Sequence, residues 1–154
     1  MPIDVGDALP AFTLATDGAG TISSEALKGR KAVLYFYPKD DTPGCTKEAQ
    51  AFRDAIADFE AAGVAIVGVS TDGVASHDKF KTKHGLPFTL ASDADRTLAK
   101  AFGVWVEKSM YGRKYMGMER ATFLIDETGV VRRAWRKVKV TGHAADVLAA
   151  ARSL

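Results

Sequence analysis

The chain contains one cysteine, Cys45, and its neighbours are residue types that favour a reactive thiol. Cys45 follows Pro43 and Gly44, and from there apolar residues recur at helical spacing. The first N–H groups of a helix have no internal partner and carry partial positive charge, so they stabilise a thiolate placed there. A lone cysteine is often a small core residue. The polar turn around Cys45 predicts instead a nucleophile at a strand–helix junction.

Other chemistries of a single thiol fit the sequence less well. A thioredoxin-type exchanger needs C-x-x-C, but Glu48 stands three residues after Cys45. A cysteine hydrolase needs a nearby base, and we expect His77, His84 and His143 each to be a surface or half-buried polar residue. Peroxide reduction needs no base, because an ionised thiol attacks one oxygen while the other leaves as hydroxide or alkoxide. It needs only donors that stabilise the developing negative charge.

Alternating strand and helix patterns surround this thiol. The early strands are separated by stretches of helix length, which implies parallel pairing, and the last two strands form an antiparallel hairpin. We therefore predict an α/β fold with one mixed central sheet, helices on both faces and an N-terminal β-hairpin. The predicted strands are 12–15, 21–23, 32–37, 64–70, 88–91, 121–126 and 130–135, and the predicted helices are 45–59, 74–84, 93–102 and 142–152.

Composition places the chain among ordinary globular proteins. Its 154 residues correspond to one domain over 1–154, since domains run to roughly 100–200 residues. Hydrophobic residues are 47% and charged residues 26%, and the net charge of +2 gives no reason to expect nucleic acid or a membrane as partner. The N-terminus lacks the pattern of a signal peptide, so we expect a cytoplasmic protein. No P-loop, dinucleotide motif or metal-ligand spacing occurs, and we expect neither cofactor nor metal.

Several ordered motifs together resemble one family. The segment 38–46, PKDDTPGCT, resembles the peroxiredoxin signature P-x-x-x-T-x-x-C in the form found in the bacterioferritin-comigratory-protein (PrxQ) class. The similarity continues through GVW at 103–105, EK at 107–108, Tyr115 and RATFLID at 120–126. The resemblance implies a thioredoxin-like fold and a thiol-dependent peroxidase that acts in antioxidant defence on hydrogen peroxide and organic hydroperoxides.

The resemblance also implies roles for individual residues. Cys45 corresponds to the peroxidatic cysteine, and the Thr42 hydroxyl to the group that hydrogen-bonds the peroxide and the thiolate. Pro38 corresponds to the residue that shields the thiol from water, since proline has no N–H to hydrate. Arg120 corresponds to the arginine that stabilises the thiolate and polarises the peroxide, and its guanidinium stays charged at any relevant pH. Thr42 is also compatible with a simple helix-cap role.

Two further positions are candidates for binding the substrate. The backbone N–H groups of Gly44 and Cys45 would hold the peroxide oxygens. Glu48 matches an acidic position that orients the arginine, although an acidic residue in a first helical turn also simply complements the helix dipole.

The chain departs from the class in its cysteine count. Many members carry a resolving cysteine five residues after the first, where this chain has Gln50, and others carry it in the helix that corresponds to 74–84. With one thiol an internal disulfide is impossible. We therefore expect a one-cysteine cycle in which thioredoxin, glutaredoxin or glutathione resolves the sulfenic acid. Because no second thiol in the chain captures the sulfenic acid, it should persist longer, and we expect excess peroxide to overoxidise it readily.

Two other functions remain as alternatives. In the first, the protein is a redox sensor in which oxidation of Cys45 changes a partner surface and turnover is slow. In the second, it is a holdase-like or purely structural oligomer, which no sequence feature supports. We expect a monomer or a dimer, with the monomer favoured.

Overall fold

The computed structural model describes residues 2–154. Nine strands and six α-helices form along this stretch in an order close to the predicted one. The strands are β1 Thr13–Thr16, β2 Gly20–Ser23, β3 Lys31–Phe36, β4 Val64–Ser70, β5 Thr89–Ser92, β6 Trp105–Met110, β7 Arg113–Met118, β8 Ala121–Ile125 and β9 Val131–Trp135. The helices are α1 Ser24–Leu27, α2 Pro43–Asp54, α3 Ile56–Ala61, α4 Val74–His84, α5 Thr97–Ala101 and α6 His143–Arg152.

Seven strands form one mixed sheet in the order β2-β1-β5-β4-β3-β8-β9. The pairs β3–β4 and β4–β5 are parallel, whereas β3–β8, β8–β9 and the N-terminal hairpin β1–β2 are antiparallel. The predicted mixed sheet and N-terminal hairpin are therefore confirmed. Strand β3 lies centrally, so the chain that leaves its carboxyl end begins α2 above the middle of the sheet.

Alternate residues of β3 point into two separate cores, one on each face of the sheet. Val33 and Tyr35 join the core that lies under α2, α3, α4 and α6. Leu34 and Phe36 join the opposite core, which α1, α5 and the base of the β6–β7 hairpin complete. This arrangement explains why β3 is an unbroken apolar run: it is buried on both faces.

Several elements differ from the sequence-based expectation: α1 was not predicted, and α5 begins at Thr97, four residues after the start of the predicted helix 93–102. The predicted helix 45–59 is two helices, because the backbone leaves helical geometry at Ala55 (φ −98°, ψ 5°). Residues seven apart on a straight helix are separated by about 10 Å along its axis. The break at Ala55 accompanies the packing of the Phe52 and Phe59 rings in one core, with their centroids 5.9 Å apart.

The β6–β7 hairpin was not predicted at all. Its strands pair with each other and form a sheet separate from the main one. The connecting residues Tyr111 (φ 52°) and Gly112 (φ 76°) both have left-handed backbone conformation, as a two-residue type I′ turn requires. Gly112 at the second turn position was the sequence feature that could have indicated this hairpin.

Among residues 2–154, every helix is too short or too polar to span a lipid bilayer.

Candidate active site

Cys45 is the third residue of α2, the helix that follows β3 along the chain. Helix α2 begins at Pro43, where the missing N–H of proline costs no helical hydrogen bond. Thr42 occupies the N-cap position, but its side chain does not cap the helix. Within residues 2–154 no backbone or side-chain acceptor receives the N–H groups of Gly44 and Cys45. These two donors are thus available to an oxygen that reaches the first turn.

The thiol itself is deeply recessed. Cys45 is 2% exposed and packs with the core that lies beneath α2, so the expectation that it lies outside the core is wrong. A helix that packs flat on a sheet buries the inward side of even its first turn, and sequence periodicity cannot show how deep that side lies. The Sγ atom nevertheless has one polar contact, because the Nη2 group of Arg120 donates to it at 3.4 Å.

Arg120 joins the thiol to a buried carboxylate. Its Nη1 group donates to Oε1 of Glu48 at 2.8 Å, and the Glu48 side chain is 1% exposed. The second oxygen, Oε2, has no hydrogen-bond partner among the described residues. Burial raises the pKa of Glu48 to about 7, although the charge and hydrogen bond of Arg120 oppose that shift. The Glu48 carboxyl therefore changes its protonation state near neutral pH.

At Arg120 the neighbouring groups, and not burial, decide the direction of the pKa shift. Partial burial disfavours the charged guanidinium, but the charges and hydrogen bonds of Glu48 and Cys45 together outweigh burial and raise the pKa of Arg120. Arg120 thus stays a cation. Its approach to the helix depends on Gly44, since a Cβ atom at that position would lie 3.1 Å from Nη2. A side chain there would push the guanidinium away from the thiol.

Thr42 and Pro38 lie in the loop between β3 and α2. The Thr42 hydroxyl donates to the carbonyl of Lys39 at 2.8 Å, so its lone pairs remain to accept another hydrogen. Pro38 is half-buried at the bend where the chain leaves β3. The structure thus brings Arg120 into contact with Cys45 and Glu48 and close to Gly44. The loop that carries Pro38 and Thr42 immediately precedes α2.

This loop is anchored to α4 by a buried cluster around Asp40. One Asp40 oxygen accepts from the Tyr37 hydroxyl at 2.6 Å, and the other lies 2.7 Å from Nδ1 of His77 and accepts from Ser76 at 2.8 Å. The other ring nitrogen of His77 donates to the carbonyl of Ala91 at 3.0 Å. Both nitrogens thus face acceptors, which is the arrangement of a protonated imidazolium.

Two effects compete at His77. Burial disfavours the imidazolium and lowers its pKa, but the hydrogen bond and charge of Asp40, together with the Ala91 carbonyl and the charge of Asp72, outweigh burial and raise the pKa of His77 above its ordinary value. The side chain is fully buried, and the expectation of a surface or half-buried residue is wrong for it. Next to Asp40, Asp41 adds an exposed attachment by accepting from Lys83 and from His84, which is half-buried as predicted.

His143 supports the other side of the site and is also buried, against expectation. It opens α6, and its Nε2 shares a hydrogen bond of 2.7 Å with the hydroxyl of Thr122, two residues beyond Arg120. Its ring stands edge-on to Phe52 of α2 at 6.1 Å between centroids. Burial lowers the pKa of His143 to about 4, so this imidazole is neutral at physiological pH.

Tyr35 of β3 forms the floor under the first turns of α2. Its ring stacks on Phe52 with centroids 4.8 Å apart. The ring also covers Gly68 of β4, where a Cβ atom would lie 2.9 Å from the tyrosine oxygen. Among the described residues the Tyr35 hydroxyl has no hydrogen-bond partner. Burial, reinforced by the charge of Glu48, raises its pKa well above 10.

Comparison with known proteins adds independent findings. The AhpC/TSA family model matches residues 5–134. The bcp protein of Coxiella burnetii is 55% identical over 148 residues, which are 96% of this chain and 98% of that one. Peroxiredoxin Bcp of Bacillus subtilis is 49% identical over 148 residues, 96% of this chain and 94% of that one.

A solved structure of the Xanthomonas campestris bacterioferritin comigratory protein superposes with a TM-score of 0.90 at 46% identity. The match covers 96% of this chain and 98% of that one. The likeness confirms the predicted thioredoxin-like fold. Family model, relatives and fold agree: the chain belongs to the AhpC/TSA family, in its Bcp or peroxiredoxin Q class, and is a thiol-dependent peroxidase.

Proposed function

We propose that Cys45 is the peroxidatic nucleophile and that the protein reduces hydrogen peroxide and organic hydroperoxides in a one-cysteine cycle. One observation carries the assignment: a single guanidinium, that of Arg120, contacts both the Cys45 sulfur and the buried Glu48 carboxyl. The thiolate is the reactive form of cysteine, and the guanidinium is a permanent cation 3.4 Å from the sulfur that would carry its negative charge. The bacterioferritin comigratory protein of Xanthomonas campestris has alkyl peroxide reduction activity, and this supports organic hydroperoxides as substrates here.

In the first step the Cys45 thiolate attacks the terminal oxygen of the peroxide. The S–O bond forms as the O–O bond breaks, cysteine is oxidised by two electrons to sulfenic acid, and hydroxide or alkoxide leaves and takes up a proton. Negative charge spreads over both oxygens in the transition state. Arg120 and the N–H groups of Gly44 and Cys45 are the donors placed to receive it.

Thr42 and Pro38 act from the preceding loop. Because the Thr42 hydroxyl already donates its hydrogen to Lys39, it is an acceptor for the peroxide O–H. That contact would orient the terminal oxygen toward Cys45. Pro38 brings a half-buried ring and no N–H to the same bend, which supports its assignment to the exclusion of water.

Glu48 positions the arginine and ties the site to pH. Its pKa of about 7 means that the carboxyl gains charge as the pH rises through neutrality. The ionised form holds Nη1 of Arg120 more strongly than the neutral acid, so we expect the sulfenic acid to form faster above pH 7 than below it. A Glu48→Gln variant should lose this component of the pH profile.

Resolution requires thiols from outside the chain, because Cys45 is its single cysteine. A first external thiol attacks the sulfenic sulfur, forming a mixed disulfide and releasing water. A second thiol attacks that disulfide, which frees the Cys45 thiol and releases the oxidised reductant. Thioredoxin, glutaredoxin and glutathione all supply such thiols. The free thiol fits a reducing cytoplasm, and its burial disfavours a dimer linked through two Cys45 residues.

The assignment is tested by the rate of sulfenic acid formation. Reduced protein is mixed with one equivalent of hydrogen peroxide, quenched rapidly and followed by intact mass. We expect Arg120→Met to slow the step about 100- to 1000-fold, as the loss of a charge-stabilising donor does elsewhere. Arg132→Met, which removes an exposed arginine of β9, is the matched control and should react normally. A wild-type rate equal to that of free cysteine would exclude the peroxidatic role.

The one-cysteine cycle has its own test. Without a second thiol in the chain, excess peroxide should convert Cys45 to sulfinic acid, seen as a further mass increase of one oxygen. Addition of glutathione before the excess peroxide should divert the protein into a mixed disulfide. Failure to detect either product would contradict a sulfenic acid that is open to external reactants.

A further inference from the structure

The two faces of the β6–β7 hairpin differ in character. Directly opposed residues of antiparallel strands share a face, so Lys108 and Tyr115 lie on the same side, with Gly117 two residues along. Trp105 and Met118 lie on the other side, and both pack against the core. After Met118 the chain reaches Arg120 within two residues. The hairpin therefore rises directly beside the arginine of the site.

Lys108 is held along the hairpin instead of extending into solvent. A Cβ atom at Gly117 would lie 3.2 Å from Cδ and 3.5 Å from Cε of the lysine. Tyr115 approaches the same glycine, with its Cε2 atom 3.4 Å from that position. The absent side chain at Gly117 thus provides the groove in which the lysine stem lies, half-buried.

The ammonium group of Lys108 differs from that of Lys114 in its partners. Among residues 2–154 it makes no ion pair, whereas Lys114 on the opposite face lies 3.6 Å from Oε1 of Glu107. Partial burial lowers the pKa of Lys108, and the nearby charge of Arg120 lowers it further, while the charges of Cys45 and Glu119 act in the opposite direction. The lysine is therefore within electrostatic reach of both the cation and the sulfur of the site.

We propose that Lys108 determines specificity by receiving a carboxylate on the reactant that approaches Cys45. Arg120 is committed to Glu48 and to the sulfur, whereas Lys108 makes no ion pair among residues 2–154 and is free to meet a further negative charge. The reactant is a hydroperoxide or a thiol that carries a carboxylate near its reacting atom. The inference rests on the proposed peroxidatic role of Cys45, and it adds selection for negative charge at the same site.

Matched acids and esters test the proposal. The hydroperoxide arm compares cumene hydroperoxide bearing a para-carboxylate with its methyl ester. The thiol arm compares 3-mercaptopropionate with its methyl ester as resolving thiols. In each arm the readout is the ratio of rate constants for acid and ester, measured in the wild type, in Lys108→Met and in Lys114→Met. Methionine keeps an apolar stem and removes the charge, and Lys114 supplies the matched cation on the opposite face.

In at least one arm we expect the acid-to-ester ratio to fall about three- to fivefold in Lys108→Met, the size of a partly exposed charge interaction. The arm that responds identifies whether the carboxylate belongs to the hydroperoxide or to the thiol. Unchanged ratios in both arms, or an equal fall in Lys114→Met, would overturn the proposal. The wild-type rate with hydrogen peroxide is measured alongside, because a failure there would reject the proposed function itself.

Discussion

His77 lies in α4 and His143 at the start of α6, and both are buried, yet their pKa values are shifted in opposite directions. His77 faces a carboxylate with one nitrogen and a carbonyl with the other, and its pKa is raised. His143 faces a hydroxyl, and burial, which the charge of Asp146 offsets only in part, lowers its pKa to about 4. Burial alone therefore does not set the charge of a histidine; the groups that face its two nitrogens decide it.

The two residues also stabilise different parts of the site. His77 fastens the loop that carries Thr42 and Pro38, through Asp40. His143 fastens the strand that follows Arg120, through Thr122. A charged pair on one side and a neutral hydrogen bond on the other should respond differently to substitution and to pH.

The largest effect is expected from Asp40→Asn. This change removes the anion beside a buried imidazolium, and the loss of one partner of a buried pair costs about 3–5 kcal/mol. We expect that loss in the free energy of unfolding, measured with urea at pH 7, together with slower peroxide reduction because the loop is released. Asp41→Asn is the matched control, since its ion pairs are exposed and its effect should be far smaller. Equal effects would contradict a buried charged pair at Asp40.

Acid should act chiefly through His143. Its folded pKa of about 4 lies below the unfolded value of 6.5, so its contribution to stability is full above pH 6.5 and is lost as the pH falls toward 4. The difference between these two pKa values corresponds to at most about 3 kcal/mol. The wild type should lose up to that amount relative to His143→Gln between pH 6.5 and 4 in urea titrations. A constant difference across this range would mean that His143 is not buried in its neutral form.

A smaller loss in the free energy of unfolding is expected from Thr122→Val. The substitution keeps the shape of the side chain but removes the hydroxyl that pairs with Nε2 of His143. An unpaired buried polar group costs about 1–3 kcal/mol. Thermal or urea unfolding at pH 7 measures this loss in stability. The control is Thr128→Val, which removes a hydroxyl at an exposed turn. A loss as large as that of Asp40→Asn would remove the distinction between the charged and the neutral contact.

The protonation states of His77 and His143 can be compared directly by NMR titration of their ring nitrogens, which requires no substitution. His77 should remain doubly protonated above pH 6.5, whereas His143 should remain neutral down to about pH 4. Because the pKa of His77 is raised, its contribution to stability is present below pH 6.5 and is lost as the pH rises through the folded value. A neutral His77 at pH 6 would contradict the imidazolium assignment.

The sequence predicted the parts of the site that depend on local pattern. A polar turn between a buried strand and a helix placed Cys45 correctly at the start of α2, and the resemblance pointed to Arg120. The depth of the thiol was not predictable, because it depends on how α2 packs on the sheet. The contact between Asp40 and His77 was also not predicted, since these residues are 37 positions apart and nothing in the local sequence of either shows that they meet.

The unpartnered hydroxyl of Tyr35 has a consequence for the kind of oxidation that the site allows. A phenol gives up an electron readily only when its proton can pass to an acceptor at the same time. No described residue accepts the Tyr35 proton, and its pKa is raised well above 10. We therefore expect peroxide to oxidise the sulfur in electron pairs and to leave no tyrosyl radical in the electron paramagnetic resonance spectrum. The aromatic floor of the site would then insulate the core from radical damage.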